Sequence, residues 1–187
     1  MKFYTVGHST RTVEHFLSLL KSYRIEVLVD VRAFPVSRRN PQFIQGNLQS
    51  CLSQSNIEYL WLGRELGGYR RESDGLGEKS PNKGWETRGF RIYADYMLSK
   101  AFRSAVKNLV AKAERGGAAY MCAEKYYWRC HRRLISDYLL SQGHEVWHII
   151  ELDVLRKHEL TRFARVKDGI LTYPLQESSS TPSLPWT

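Results

Sequence analysis

Apolar positions alternate along the chain between short continuous runs and stretches at helical spacing. FYTVG, Phe3 to Gly7, is β-rich, and Val13, Phe16, Leu17 and Leu20 then recur about one helical turn apart, which predicts a strand followed by a helix. Thr12 stands where an N-cap would, with Glu14 in the first turn. EVLVDVRAF, Glu26 to Phe34, is nearly unbroken in apolar and β-branched residues, as expected of a parallel strand covered on both faces. PVSRRNPQF ends it, a weaker helical pattern covers Ile44 to Ser55, and IEYLWL, Ile57 to Leu62, reads as a third strand.

Periodicity then stops. From Gly63 to Gly89 the chain has seven glycines, many charges and no apolar repeat. That is long for a connection inside a compact domain, so a lid, a binding loop or disorder is expected. Helical spacing returns from Phe90 to about Arg115, interrupted near Ser99, and Gly116 with Gly117 supplies a stop. AAYMCA, Ala118 to Ala123, is a fourth strand. A helix from about Tyr127 to Gln142 follows, and EVWHII, Glu145 to Ile150, is a fifth strand. FARVKDGILTYPL carries a turn signal at Asp168 and Gly169 between two β-rich runs, which predicts a hairpin that extends the sheet or packs over it.

Strands alternating with helices predict one α/β domain over residues 1–175. Its fold is expected to be Rossmann-like: a mainly parallel sheet with helices on both faces and a C-terminal hairpin. The segment from residue 176, QESSSTPSLPWT, lacks periodicity and reads as a mobile tail.

Charge narrows the partners. Lys and Arg number 28 against 19 Asp and Glu, a formal net charge of +9, which favours an anionic ligand such as a nucleotide or nucleic acid. Cys51, Cys122 and Cys130 cannot all pair within one chain, no signal segment opens the sequence, and no apolar run suggests a membrane span. A soluble, cytoplasmic protein without membrane contact is expected. No motif names a cofactor.

In an open parallel sheet, ligands bind beyond the carboxyl ends of the strands. His8 and Ser9 follow the first strand; Asp30, Arg32, Arg38 and Arg39 end or follow the second. Tyr69 and Arg70 lie in the glycine-rich segment after the third, and CAEKYYWRCHRR, Cys122 to Arg133, begins at the end of the fourth. Polar and basic residues from four segments therefore share one rim. Asp30 reads either as a general base or as an acceptor tying down loop amides and Arg32. Arg32, Arg38, Arg39, Arg70, Arg129 and Arg132 offer guanidinium forks suited to phosphate oxygens, Ser9 a hydroxyl, and Tyr69 and Tyr127 stacking rings. With a helix starting at Tyr127, the arginines of its first turn call for a bound anion, since the helix dipole disfavours cations there; Arg133 could instead pair with Asp137.

Cys130, among cations near a helix start, meets the conditions that lower a thiol pKa, whereas Cys122 reads as a small hydrophobe inside its strand. Glu124 is an acid, base or nucleophile, or a solvated carboxylate paired with an arginine. His131 and His8 are proton-transfer candidates, with a buried, hydrogen-bonded histidine as the alternative for His131. A metal would have to join Cys122, Cys130, His131 and His8, a spacing that matches no common zinc pattern, so none is expected; without a Cys-x-x-Cys, dithiol redox chemistry is not expected either.

TVGHST, LVDVRAFPVSRRNPQF, LGGYR, YMCAEKYYWRCHR and HELTRFARVKDGILTYP occur in that order. Through them the chain resembles the bacterial and archaeal proteins grouped as domain of unknown function 488. The resemblance implies a single Rossmann-like cytoplasmic domain. It also draws attention to His8, Ser9, Asp30, Arg32 and Pro35, to Gly68 and Tyr69, and to Cys122, Glu124, Cys130, His131 and Arg132. Two functions are compatible with these residues: an enzyme acting on a nucleotide, nucleic acid or other phosphorylated ligand at the sheet rim, or a noncatalytic nucleic-acid-binding protein with a structural Cys/His cluster.

Overall fold

The structure, a computed structural model, describes residues 1–114 and 116–176. The tail expected from residue 176 falls almost wholly outside them. The chain runs β1 (Lys2–Gly7), α1 (Val13–Ser22), β2 (Val27–Asp30), α2 (Gln45–Gln54), β3 (Glu58–Trp61), a single turn α3 (Gly63–Leu66), α4 (Arg88–Tyr96) and α5 (Lys100–Ala113). It continues with β4 (Ala118–Cys122), α6 (Arg132–Ser141), β5 (Glu145–Glu151), β6 (Val154–Lys157), β7 (Arg165–Lys167) and β8 (Ile170–Thr172). The sheet order is β3-β2-β4-β1-β5-β6, with β6 antiparallel to β5 and the rest parallel, while β7 and β8 form a separate antiparallel pair.

Side-chain alternation divides the interior into two cores. Phe3, Val27, Val29 and Tyr120 face one way, against Tyr93, Phe102 and Leu134 of α4, α5 and α6. Val6, Leu28, Ala119 and Met121 face the other way, against Phe16, Leu20, Leu48 and Leu52 of α1 and α2. The result is a mixed α/β fold with helices on both faces of a mostly parallel sheet. Thr12 caps α1 by accepting from the His15 N–H (3.2 Å), and Ser99 caps α5 by accepting from Phe102 N–H (3.2 Å), which accounts for the break between α4 and α5. The hairpin turn places Asp168 at φ 51° and Gly169 at φ 74°, the left-handed pair that a tight two-residue turn requires.

Three expectations need correction. The strand β6 went unread because VLRK is a short, largely exposed edge strand with no apolar run. The hairpin does not extend the sheet; Leu171 and Tyr173 beside it join the core under α4 and α6. Residues 63–89 are anchored rather than free: Asp95 accepts from Leu76 N–H (2.9 Å), Ser80 Oγ (2.6 Å) and Asn82 Nδ2 (2.7 Å), and Asn82 Oδ1 in turn accepts from Tyr173 N–H (2.9 Å). Trp85 packs among Phe90, Phe163 and Tyr173. None of the described helices is long and apolar enough to cross a membrane.

Candidate active site

Beyond the carboxyl ends of the central strands β1, β2 and β4 lies a cavity of about 530 Å³. His8 and Ser9 reach it from β1, Arg32 and Arg39 from the segment after β2, Tyr69 from the glycine-rich segment, and Cys122, Glu124 and His131 from the end of β4 and the turn before α6. The rim inferred from strand ends is therefore one place. Phe34 and Tyr69 stand over it with ring centroids 5.6 Å apart, each about two-thirds exposed (65% and 66%). Arg39 and Glu124 are exposed on its wall, and Lys125, which also lines it, pairs with Glu151 at 2.8 Å.

The floor is a Cys–Cys–His cluster. Cys130 Sγ lies 3.5 Å and Cys122 Sγ 3.9 Å from His131 Nδ1, and His131 Nε2 lies 3.1 Å from the Val31 carbonyl oxygen. A carbonyl oxygen can only accept, so Nε2 carries a hydrogen, and Nδ1 is the ring atom that faces both sulfurs. Cys130 is 4% exposed, whereas Cys122 lines the cavity and is half-buried. Burial resists ionisation of Cys130, but the Cys122 thiol, His131 and Arg132 outweigh it and hold Cys130 well below the ordinary thiol range. The hydrogen bond with Cys130, followed by burial, pushes Cys122 up. Two neighbouring thiols pushed in opposite directions, with the outer sulfur facing the cavity, suit either a reactive thiol or a metal ligand set.

A family model described as Domain of unknown function DUF488 matches residues 12–139. The chain belongs to this family. No curated protein and no solved structure matches it. The DUF488 match spans the segments that carry Arg39, Tyr69, Glu124 and the whole Cys–Cys–His cluster.

Several expected site residues are tied up in structural contacts or lie away from the cavity in this DUF488 chain. Asp30 is fully buried and accepts from Arg32 N–H (3.0 Å), Arg32 Nη2 (2.6 Å) and Tyr59 OH (2.8 Å), which makes it the structural acceptor rather than a base. Arg32 spends its fork on Asp30, on His8 Nε2 (3.2 Å) and on the Phe43 carbonyl (2.8 Å), so it builds the wall rather than reaching for an anion. Because arginine only donates, His8 Nε2 accepts and Nδ1–H points to the Ser9 carbonyl (2.9 Å). With its ring stacked on Phe43, His8 is a fixed neutral acceptor and not a free base.

Arg70 donates to the Arg64 and Glu65 carbonyls and lies 3.8 Å from the Tyr96 ring centroid, away from the cavity. Arg38 and Arg129 are exposed outside it. The helix expected from Tyr127 begins only at Arg132, because Tyr127–Arg129 forms a separate 3-10 turn and Cys130 is extended. Tyr127 consequently turns away and stacks on His148. Arg132, 1% exposed, points inward and donates to Thr5 Oγ1 (2.8 Å) and the Glu124 carbonyl. Arg133 donates to Thr161 Oγ1 (2.9 Å) and does not pair with Asp137.

Cys122 packs against the core as a small hydrophobe, as expected, but as the last residue of β4 it also opens onto the cavity. Phe34 was missed, and so were two close approaches. A Cβ on Gly7 would collide with the Glu124 carbonyl, and one on Gly68 would come within 2.5 Å of His131 Nδ1. Only glycine lets β1 and the LGGYR segment close on the cluster.

The buried histidines set an acid limit on stability. Burial, then Arg32, holds His8 down to about 4. Burial, then His158, holds His148 down to about 2. In the unfolded chain both titrate near about 6.5, so below that pH unfolding takes up a proton at each. Stability is expected to be flat with respect to these groups above about pH 7 and to fall toward pH 5 by as much as about 1.4 kcal/mol per pH unit for each histidine. Urea unfolding across that range checks this, and a pH-independent midpoint would contradict it.

Proposed function

We propose that the protein is an enzyme acting on a nucleotide, a nucleic-acid base or a closely related phosphorylated ligand held in the rim cavity. The observation that carries this reading is the union, in one cavity, of a Cys–Cys–His floor with two exposed aromatic rings at the mouth. Phe34 and Tyr69 stand two-thirds exposed side by side, and flat rings at a cleft mouth suit the π-face of a base. Among the described residues that line the cavity, Arg39 is an exposed cation that could meet a phosphate, Glu124 the carboxylate placed for proton transfer, and the cluster supplies the reactive group.

Base stacking is worth about 1–3 kcal/mol per ring, so Tyr69→Ala and Phe34→Ala are each expected to weaken nucleotide binding about 5- to 150-fold while thermal stability stays unchanged. Calorimetric titration with a panel of nucleoside mono- and triphosphates checks this; equal affinity in wild type and both variants would remove the stacking role.

A second reading has its own observation. Tyr126 and Trp128 stack at 4.6 Å with 38% exposure each, beside the exposed Arg129, and would suit a noncatalytic strand-binding surface. It predicts steeply salt-dependent oligonucleotide binding that Glu124→Gln strengthens, whereas the enzyme reading predicts turnover that Glu124→Gln abolishes.

A further inference from the structure

We propose that Cys122, Cys130 and His131 bind one zinc ion, with the fourth coordination position open to the rim cavity. Three observations converge on this. First, the two sulfurs approach the same atom. His131 donates Nε2–H to Val31, and both sulfurs gather round its other nitrogen, at 3.5 and 3.9 Å from Nδ1. A cation between them satisfies all three groups at once.

Second, the spacing fits. Zinc bonds of about 2.0–2.1 Å to nitrogen and about 2.3 Å to sulfur, at tetrahedral angles, hold nitrogen and sulfur about 3.5 Å apart and the two sulfurs about 3.8 Å apart. The three ligand atoms all lie within 4.8 Å of one another. A side-chain adjustment of under about 1 Å closes the site around a metal.

Third, the surroundings are those of a ligand set. The Val31 carbonyl behind the imidazole is the outer partner that orients a metal-bound histidine and fixes its tautomer. Two thiolates and a divalent cation are neutral together, which removes the cost of a buried anion beneath Cys130. Among the described residues no fourth Cys, His, Asp or Glu completes the group. Three protein ligands with one position left for water or substrate is the pattern of a catalytic rather than a structural zinc, and Cys122 at the cavity surface sets the direction of the open position. The sequence spacing is not that of common zinc motifs because the ligands come from a strand end and from the turn before α6, not from one knuckle.

The metal's proposed part in turnover rests on the cavity being the active site; the site itself does not. The test uses the full chain, stripped with chelator, kept reduced, and titrated with Co²⁺. One equivalent is expected to produce thiolate-to-cobalt charge-transfer absorption together with the intense visible bands of a tetrahedral centre, and Zn²⁺ is expected to abolish both by displacement. Cys51→Ser should leave the spectrum intact; Cys122→Ser and His131→Ala should lose it. Cys122 is half-buried, so Cys122→Ser is the deciding variant, with circular dichroism and a thermal melt confirming that it folds. Absence of a thiolate–cobalt band in the wild type, or an unchanged band in folded Cys122→Ser, overturns the proposal. Nucleotide titration of the same stripped protein separates the two claims. Binding without a cobalt band removes the metal and leaves the cavity reading, whereas a cobalt band without nucleotide binding does the reverse.

Discussion

Asp137→Asn is expected to destabilise the protein by about 3–5 kcal/mol, with no change in side-chain volume to blame. The reason is a buried relay between two charged groups. Arg132 can only donate, so Thr5 Oγ1 accepts from it (2.8 Å), and that hydroxyl is hydrogen-bonded in turn to His148 Nδ1 (3.2 Å). His148 Nε2 shares a hydrogen bond with His158 Nδ1 (3.0 Å), and His158 Nε2–H donates to Asp137 (2.9 Å). Arg132 and Asp137, both almost without exposure, are thus the two ends of one buried chain of polar groups. Asp137 also accepts from Thr161 N–H (2.9 Å) and Tyr173 OH (2.8 Å). An asparagine amide would set its own N–H₂ against at least one of these donors and leave the Arg132 cation without its counter-charge. Urea unfolding followed by circular dichroism measures the loss; a change under about 1 kcal/mol would mean that Arg132 is compensated otherwise. The relay matters to the site, because the same guanidinium donates to the carbonyls of Glu124 and Lys125 and so holds that stretch of the rim.

What could be read from the chain, and what could not, divides along local and long-range physics. β2 was legible because a strand covered on both faces must be apolar throughout, and Val27, Leu28 and Val29 are. Thr12, the break near Ser99 and the Asp168–Gly169 turn were legible because capping, helix interruption and left-handed backbone are decided within a few residues. Strand ends placed His8, Arg32, Tyr69 and Glu124 at one cavity because that rule needs only the order of elements. The start of α6 was misread because Tyr127, His131 and Leu134 have helical spacing, while the partner that pulls Tyr127 away, His148, is remote in sequence. Asp30 was legible as an acceptor for Arg32 because the two are neighbours in sequence, whereas Tyr59, His8 and Phe43, which complete their engagement, are distant in the chain. Gly7 and Gly68 are tight for the same reason: what they approach is Glu124 and His131.

On the proposed reading, Cys122 faces a nucleotide-binding cavity while Cys130 lies behind it. The most direct test of that reading is the alkylation rate of each cysteine in the native, metal-stripped protein near neutral pH, read by peptide mass spectrometry with and without saturating nucleotide. Cys122 should react, because it is half-buried and its sulfur opens onto the cavity. Cys130 should react roughly 100-fold more slowly or less, as a thiol reached only through an opening of about 3 kcal/mol or more. Nucleotide should protect Cys122 and leave Cys51, on α2, unchanged. If instead Cys130 reacts as fast as Cys122, or saturating nucleotide fails to slow Cys122, the cavity above the Cys–Cys–His cluster is not the ligand site.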